Sequence, residues 1–125
     1  MITTAAIIAG GLGALARYGL TGIVQRRTGS SQPWGTAVVN ITGAALLGLL
    51  ITLHATHRVP ESVLTVAGTG FAGGFTTFST WMVESVRLTE PPTPRQLRAA
   101  AVNLAGMFAA GIAAVATTSW LLNLA

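Results

Sequence analysis

At 125 residues the chain is long enough for one domain, and with 51% apolar and only 8% charged residues, against roughly a quarter charged in a soluble domain, it is not an ordinary soluble protein. The net charge of +4 comes from seven arginines and three glutamates, but no basic patch with interleaved aromatics lies outside the apolar runs, which sets nucleic acid aside. The absence of cysteine excludes disulfides, zinc–thiolate sites and cysteine nucleophiles.

About 20 consecutive apolar residues cross a bilayer as a helix, and runs near that length recur through the chain. The first is expected at about 2–24, carrying "GGLGALARY" and ending at "QRRTGSSQP". Ala14-Leu15-Ala16 resembles a cleavage site, but no positive region precedes the apolar run, so residue 1 is expected to belong to the mature chain. "GLGALA" matches a dinucleotide-binding fingerprint only superficially, because no strand precedes it. The second segment is expected at 33–54, opening on Pro33, which suits a helix start, and Trp34, which suits a headgroup-level belt. After the polar turn "HATHRVPE", a third segment at 61–87 contains "GGFTTFSTW". Gly73-Gly74 can interrupt a helix, so a break is expected near 73–77. The proline-rich "LTEPPTPRQLR" cannot continue the helix, and a fourth segment follows at 96–122. The fold class is therefore all-α integral membrane: one transmembrane domain over 1–125, four spanning helices with the third broken. The many glycines and alanines permit close helix approach in lipid. Four short helices enclose little interior, so oligomerisation is expected.

Several polar residues sit inside these segments. Arg17 either faces a cavity or partner or snorkels to the interface. Asn40, in "GTAVVNITG", and Asn103 each offer amide donors, either as interhelical glue or as a lining for a polar path. No acid falls at mid-membrane: Glu61, Glu84 and Glu90 lie at segment ends or in a loop, and His54 and His57 are interfacial. A proton-coupled exporter normally uses a buried carboxylate, so donors without acids favour a passive path for an anion. No nucleophile–base pair or metal cluster appears, so an enzyme is not expected. At the break, freed carbonyls need protein, water or an ion as partner, and carbonyls aimed at one point suit a hard cation. Thr76, Thr77, Ser79 and Thr80 offer hydroxyls. Phe75, Phe78 and Trp81 recur every three residues, either as a packed stripe or as rings whose positive edges line an anion path.

Together "GGLGALARY", "GTAVVNITG" and "GFAGGFTTFSTWMVE" closely resemble the Fluc/CrcB fluoride-channel family, over three of the four segments in order; "AVNLAGMF" in the fourth matches more loosely. The resemblance implies an antiparallel (inverted) dimer of four-helix subunits with two narrow fluoride pores at the subunit interface. It implies a sodium ion at the dimer centre, held by backbone carbonyls of Gly73 and Thr76. By position, Asn40 matches the pore asparagine, and Phe78 the first pore phenylalanine, with Ser79 and Thr80 the hydroxyl pair. Arg17 and Glu84 match the family arginine and glutamate. Two positions depart from the pattern. Trp81 replaces the second phenylalanine, and Met107 stands where the family often has a serine; a thioether gives an anion no donor.

The implied function is fluoride-selective efflux through a channel in the cell membrane, giving fluoride resistance, with the alternatives of a partner subunit in a heterodimeric channel or a small-substrate exporter. With four spans, Arg26, Arg27, Arg87, Arg95 and Arg98 fall on one side of the bilayer and Arg58 on the other. Arginine excess marks the cytoplasm, so both termini are expected outside. Such a bias favours a partner homologue inserted the opposite way over a dual-topology homodimer.

Overall fold

In the structure, a computed structural model, residues 1–29 and 32–124 are described; two serines of the first loop and the final alanine lie outside them. Helix α1 is Ile2–Thr28 and α2 is Trp34–Ala55. The third segment opens as a helical rod, α3, over 61–75: a turn of α-helix at Glu61–Val63, a π-helix at Leu64–Ala72 and a second α-turn at Gly73–Phe75. Thr76 and Thr77 are extended. Helix α4 is Phe78–Arg87, and α5 is Pro94–Asn123.

Local chemistry sets the ends. Helix α1 runs four residues beyond the expected 24, until Gly29 takes a left-handed φ of 56° and returns its N–H to Gln25 O, a conformation that costs glycine little. Helix α5 starts two residues earlier than expected: Thr93 caps it by accepting from the Gln96 N–H, and Pro94 occupies the first turn, where its missing N–H costs nothing.

The interruption is narrower than expected, and it is not glycine that makes it. Gly73 is helical, with φ −62° and ψ −41°, and the Gly73–Phe75 turn is helical throughout. Of the pair, Gly74 serves close approach instead. A Cβ on Gly74 would sit 2.1 Å from Gly10 O, and one on Gly13 would sit 2.2 Å from Phe71 O, so α1 and α3 cross with backbones touching. The break falls on the two threonines because side chains from other helices satisfy their backbone groups.

Helices α1, α2 and α5 are long and apolar enough to cross a membrane. Helix α1 packs chiefly on α3, and α2 chiefly on α5. Buried positions on α2, including Thr36, Val39, Gly43 and Leu50, recur at the three- and four-residue spacing of one helix face. The interior is small: Val39, Leu50, Ala72, Phe75, Ala100 and Met107 form its apolar part. Large apolar side chains such as Ile7, Leu15 and Phe108 point outward. In water such a surface would aggregate; it belongs to a multi-pass membrane protein.

Candidate functional site at the broken helix

The site is built around Thr77. Its N–H donates to Asn40 Oδ1 at 2.8 Å, and its carbonyl accepts from Asn40 Nδ2 at 2.9 Å. One amide side chain on α2 thus supplies both bonds that a helix or a neighbouring strand would give, which lets extended backbone persist away from water. Thr77 N–H would otherwise close a helical bond to Gly73 O, so the clamp leaves that carbonyl without its regular donor. Asn40 has a second amide proton, directed at Met107 Sδ 3.4 Å away, and a thioether is a weak acceptor. Asn40 is therefore glue through one proton and loosely held through the other.

The Thr77 hydroxyl starts α4. It accepts from the Thr80 N–H at 3.3 Å, donates to Thr80 Oγ1 at 2.9 Å and lies 3.5 Å from Ser79 Oγ. The three hydroxyls form one cluster at the first turn. Sequence reasoning gives Thr77 nothing beyond its hydroxyl, yet it is the hub. A polar residue directly after the first threonine of the break was the only signal available.

Arg17 Nη1 donates to Thr76 O at 3.1 Å. Of the two readings open in the sequence, Arg17 takes the partner: it turns inward and neutralises the second exposed carbonyl of the break. Thr36, fully buried, donates to Glu84 Oε1 at 2.8 Å. Glu84 Oε2 is buried with no hydrogen-bond partner among the described residues.

The aromatic pair Phe78–Trp81 is edge to face, with centroids 5.7 Å apart at 89°. Phe78 is 69% exposed and points outward. Trp81 Nε1 donates to Asn103 O at 3.3 Å. The Asn103 amide donates to Ser85 Oγ at 2.8 Å, which in turn donates to Trp81 O at 2.8 Å. Asn103 therefore serves as interhelical glue between α4 and α5, and Trp81 is anchored rather than loose. Trp81→Phe is expected to lower the stability of α4 docking by about 1 kcal/mol, one hydrogen bond's net contribution, read as a lower melting temperature in detergent.

Two clefts flank the break. One, of about 560 Å³, is walled by Asn40, Phe78, Trp81, Met107 and Phe108. The other, of about 700 Å³, is lined by Arg17, Tyr18, Thr36 and Thr80. Thr77 lines both, so the extended backbone is the partition between them, with Arg17 and Arg26 on the wall of the second.

A family model described as CrcB-like protein, Camphor Resistance (CrcB), matches residues 4–119. The chain belongs to the CrcB family. Its relatives include the "Fluoride-specific ion channel FluC 1" of Leifsonia xyli subsp. xyli, 42% identical over 125 residues, which is all of this chain and 89% of that one. The "Fluoride-specific ion channel FluC 2" of Mycobacterium tuberculosis is 42% identical over 115 residues, 92% of this chain and 86% of that one. A "Fluoride-specific ion channel FluC 1" of Natronomonas pharaonis is 41% identical over 115 residues, covering 88% and 86%.

The structure gathers Asn40, Phe78, Trp81 and Met107 around one cleft of this CrcB chain and places Arg17 and Thr80 on the other. Glu84 stands further along α4, held by Thr36, and Asn103 packs behind Trp81. Gly73 is exposed on the outside of the chain.

Proposed function

We propose that the chain is a passive fluoride channel that exports cytoplasmic fluoride and so confers fluoride resistance. Its work is transport rather than catalysis. The observation that carries this reading is the Asn40 amide: one proton builds the break, while the other meets only a sulfur at the wall of an open cleft. A dehydrating anion competes easily for that proton. The family membership and the names of the relatives support the same reading.

In this reading fluoride sheds water against fixed donors. Asn40 Nδ2 donates directly on one side of the partition, and the Ser79 and Thr80 hydroxyls supply donors at the first turn of α4, Thr80 on the side of the Arg17 cleft. Phe78 presents the positive edge of its ring. Trp81, whose N–H is held by Asn103 O, offers ring rather than donor. Arg17 raises the local potential without lying in the path, since Thr76 O holds it. An inside-negative membrane supplies about 2.3 kcal/mol per 100 mV for outward movement of the anion.

The segment 61–87 acts as the fourth span, and two subunits pair in inverted orientation. The small interior and the outward-facing Phe78 and Gly73 support such pairing. For sodium the residues fit in part. The Gly73 oxygen lacks its regular helical donor; the Thr76 oxygen already accepts from Arg17, leaving one lone pair. These two carbonyls, with their equivalents in the second subunit, would hold a sodium ion that neutralises the frayed helix ends. Arginine placement supports a cell-membrane protein with both termini outside the cytoplasm.

The test is fluoride efflux from liposomes containing the purified chain alone, read with a fluoride electrode and repeated with chloride. Fast efflux of fluoride, with chloride retained, is the expected result. Equal efflux of both ions overturns the selectivity. No efflux from well-folded protein, restored by co-expression with an oppositely inserted relative, would make this chain one half of a heterodimeric channel.

A further inference from the structure

Away from the break, a groove of about 600 Å³ runs between the start of α2 and the first half of α5. One wall carries Trp34, Ala37 and Ile41 on α2, at the three- and four-residue spacing of one helix face. The other carries Ala99, Val102, Gly106 and Ala110 on α5, again one stripe. The floor is open because the walls are small: a Cβ added at Gly106 would meet nothing within 4 Å.

The groove is apolar along its length and basic at one end. Arg95 and Arg98 line its mouth, one turn apart on the same face as the alanine–valine stripe. Both are exposed, and among the described residues neither guanidinium has an ion-pair or hydrogen-bond partner. Trp34, half exposed, stands at the same end, where an indole suits the headgroup level. From Arg98 to Ala110 the α5 wall is about 18 Å long at 1.5 Å per residue, the scale of an acyl chain. Guanidinium groups chelate phosphate with paired N–H donors, and basic pockets between transmembrane helices are sites for anionic headgroups.

We propose that this groove is a binding site for an anionic phospholipid: the phosphate sits between Arg95 and Arg98, and one acyl chain lies along Ala37, Ile41, Val102 and Gly106. The groove shares Asn103 and Met107 with the surroundings of the break, but the lipid contacts proposed here use neither, and the proposal does not rest on the fluoride reading. It would hold the α2–α5 seam at its headgroup end and make the protein sensitive to the charge of its bilayer.

The test is lipid retention by the full chain in detergent, after delipidation and titration with phosphatidylglycerol or phosphatidylcholine of the same acyl chains, read by native mass spectrometry. The native chain is expected to hold phosphatidylglycerol at least tenfold more tightly. Arg95→Gln with Arg98→Gln should bring it to the phosphatidylcholine level, and Gly106→Leu should weaken both lipids by filling the groove. Equal retention of the two lipids by the native chain, or an unchanged preference in the double variant, overturns the proposal. So does full competition by millimolar inorganic phosphate, which would make the arginines a free-anion site. Loss of dimer with unaltered lipid retention would assign the groove to a second copy of the chain. If Gly106→Leu does not fold, the arginine variant decides alone, because both of its positions are exposed.

Discussion

Asn40→Asp is expected to abolish fluoride efflux, by about 100-fold or more, and to lower stability as well. The aspartate keeps the oxygen that accepts from Thr77 N–H at 2.8 Å. It replaces the Nδ2 donor with an oxygen facing Thr77 O across 2.9 Å, so two acceptors meet. A buried group left without its partner costs about 1–3 kcal/mol, and more when charged; each 1.4 kcal/mol is tenfold. The same change removes the loosely held proton aimed at Met107 and sets a negative charge beside an anion's path. Electrode-monitored efflux from liposomes measures the first effect and thermal unfolding in detergent the second. A variant that is folded and conducts like the native chain would remove Asn40 from the pathway. Should Asn40→Asp fail to fold, Met107→Leu takes its place. It releases the second amide proton without touching the Thr77 clamp, and is expected to change fluoride flux. Unaltered flux in that variant means the proton does not meet the ion.

The second large effect is expected at the α1–α3 crossing. Gly74→Val puts a Cβ 2.1 Å from Gly10 O, and that oxygen belongs to rigid helical backbone. The helices must separate by more than an ångström, which opens the neighbouring contacts at Gly13 and Gly70. In lipid no hydrophobic force draws the helices back together, since association rests on van der Waals fit. A loss of about 3 kcal/mol or more follows from overpacking of this kind. It should appear as loss of the monodisperse peak in size-exclusion chromatography. Gly11→Ala is the control: nothing lies within 4 Å of that Cβ, and the elution profile should stay as it is. Equal behaviour of the two variants would show that the crossing does not depend on close approach.

The contrast between Gly74 and Gly11 marks what the sequence could reveal. Apolar length and the proline-rich loop located the helical segments to within about four residues, because they report on backbone chemistry alone. Phe78, Ser79 and Thr80 were legible as a group because they follow the interruption directly. The interruption was placed only as a window near 73–77; its two residues were not legible, since they depend on partners distant in sequence: Arg17 for Thr76 and Asn40 for Thr77. Glycine looked like the breaker because its backbone is free, whereas here the backbone is helical and it is the missing side chain of Gly74 that serves contact with α1. Trp81 stood out in the sequence as the replacement for a family phenylalanine. Its bond to Asn103 O is tertiary, and no periodicity could announce it. The π-helical stretch at Leu64–Ala72 has the same apolar pattern as an α-helix and left no trace in the spacing.

The clamp also has a direction in time. A pair of extended residues cannot sit in hydrocarbon with bare amides and carbonyls, so the kink must wait for whatever satisfies it. Both side chains that do so precede Thr76 and Thr77 in the chain. As the polypeptide leaves the ribosome, Arg17 and then Asn40 are already in the bilayer when the third segment arrives. The bend can therefore be set on arrival, during synthesis, without the last helix.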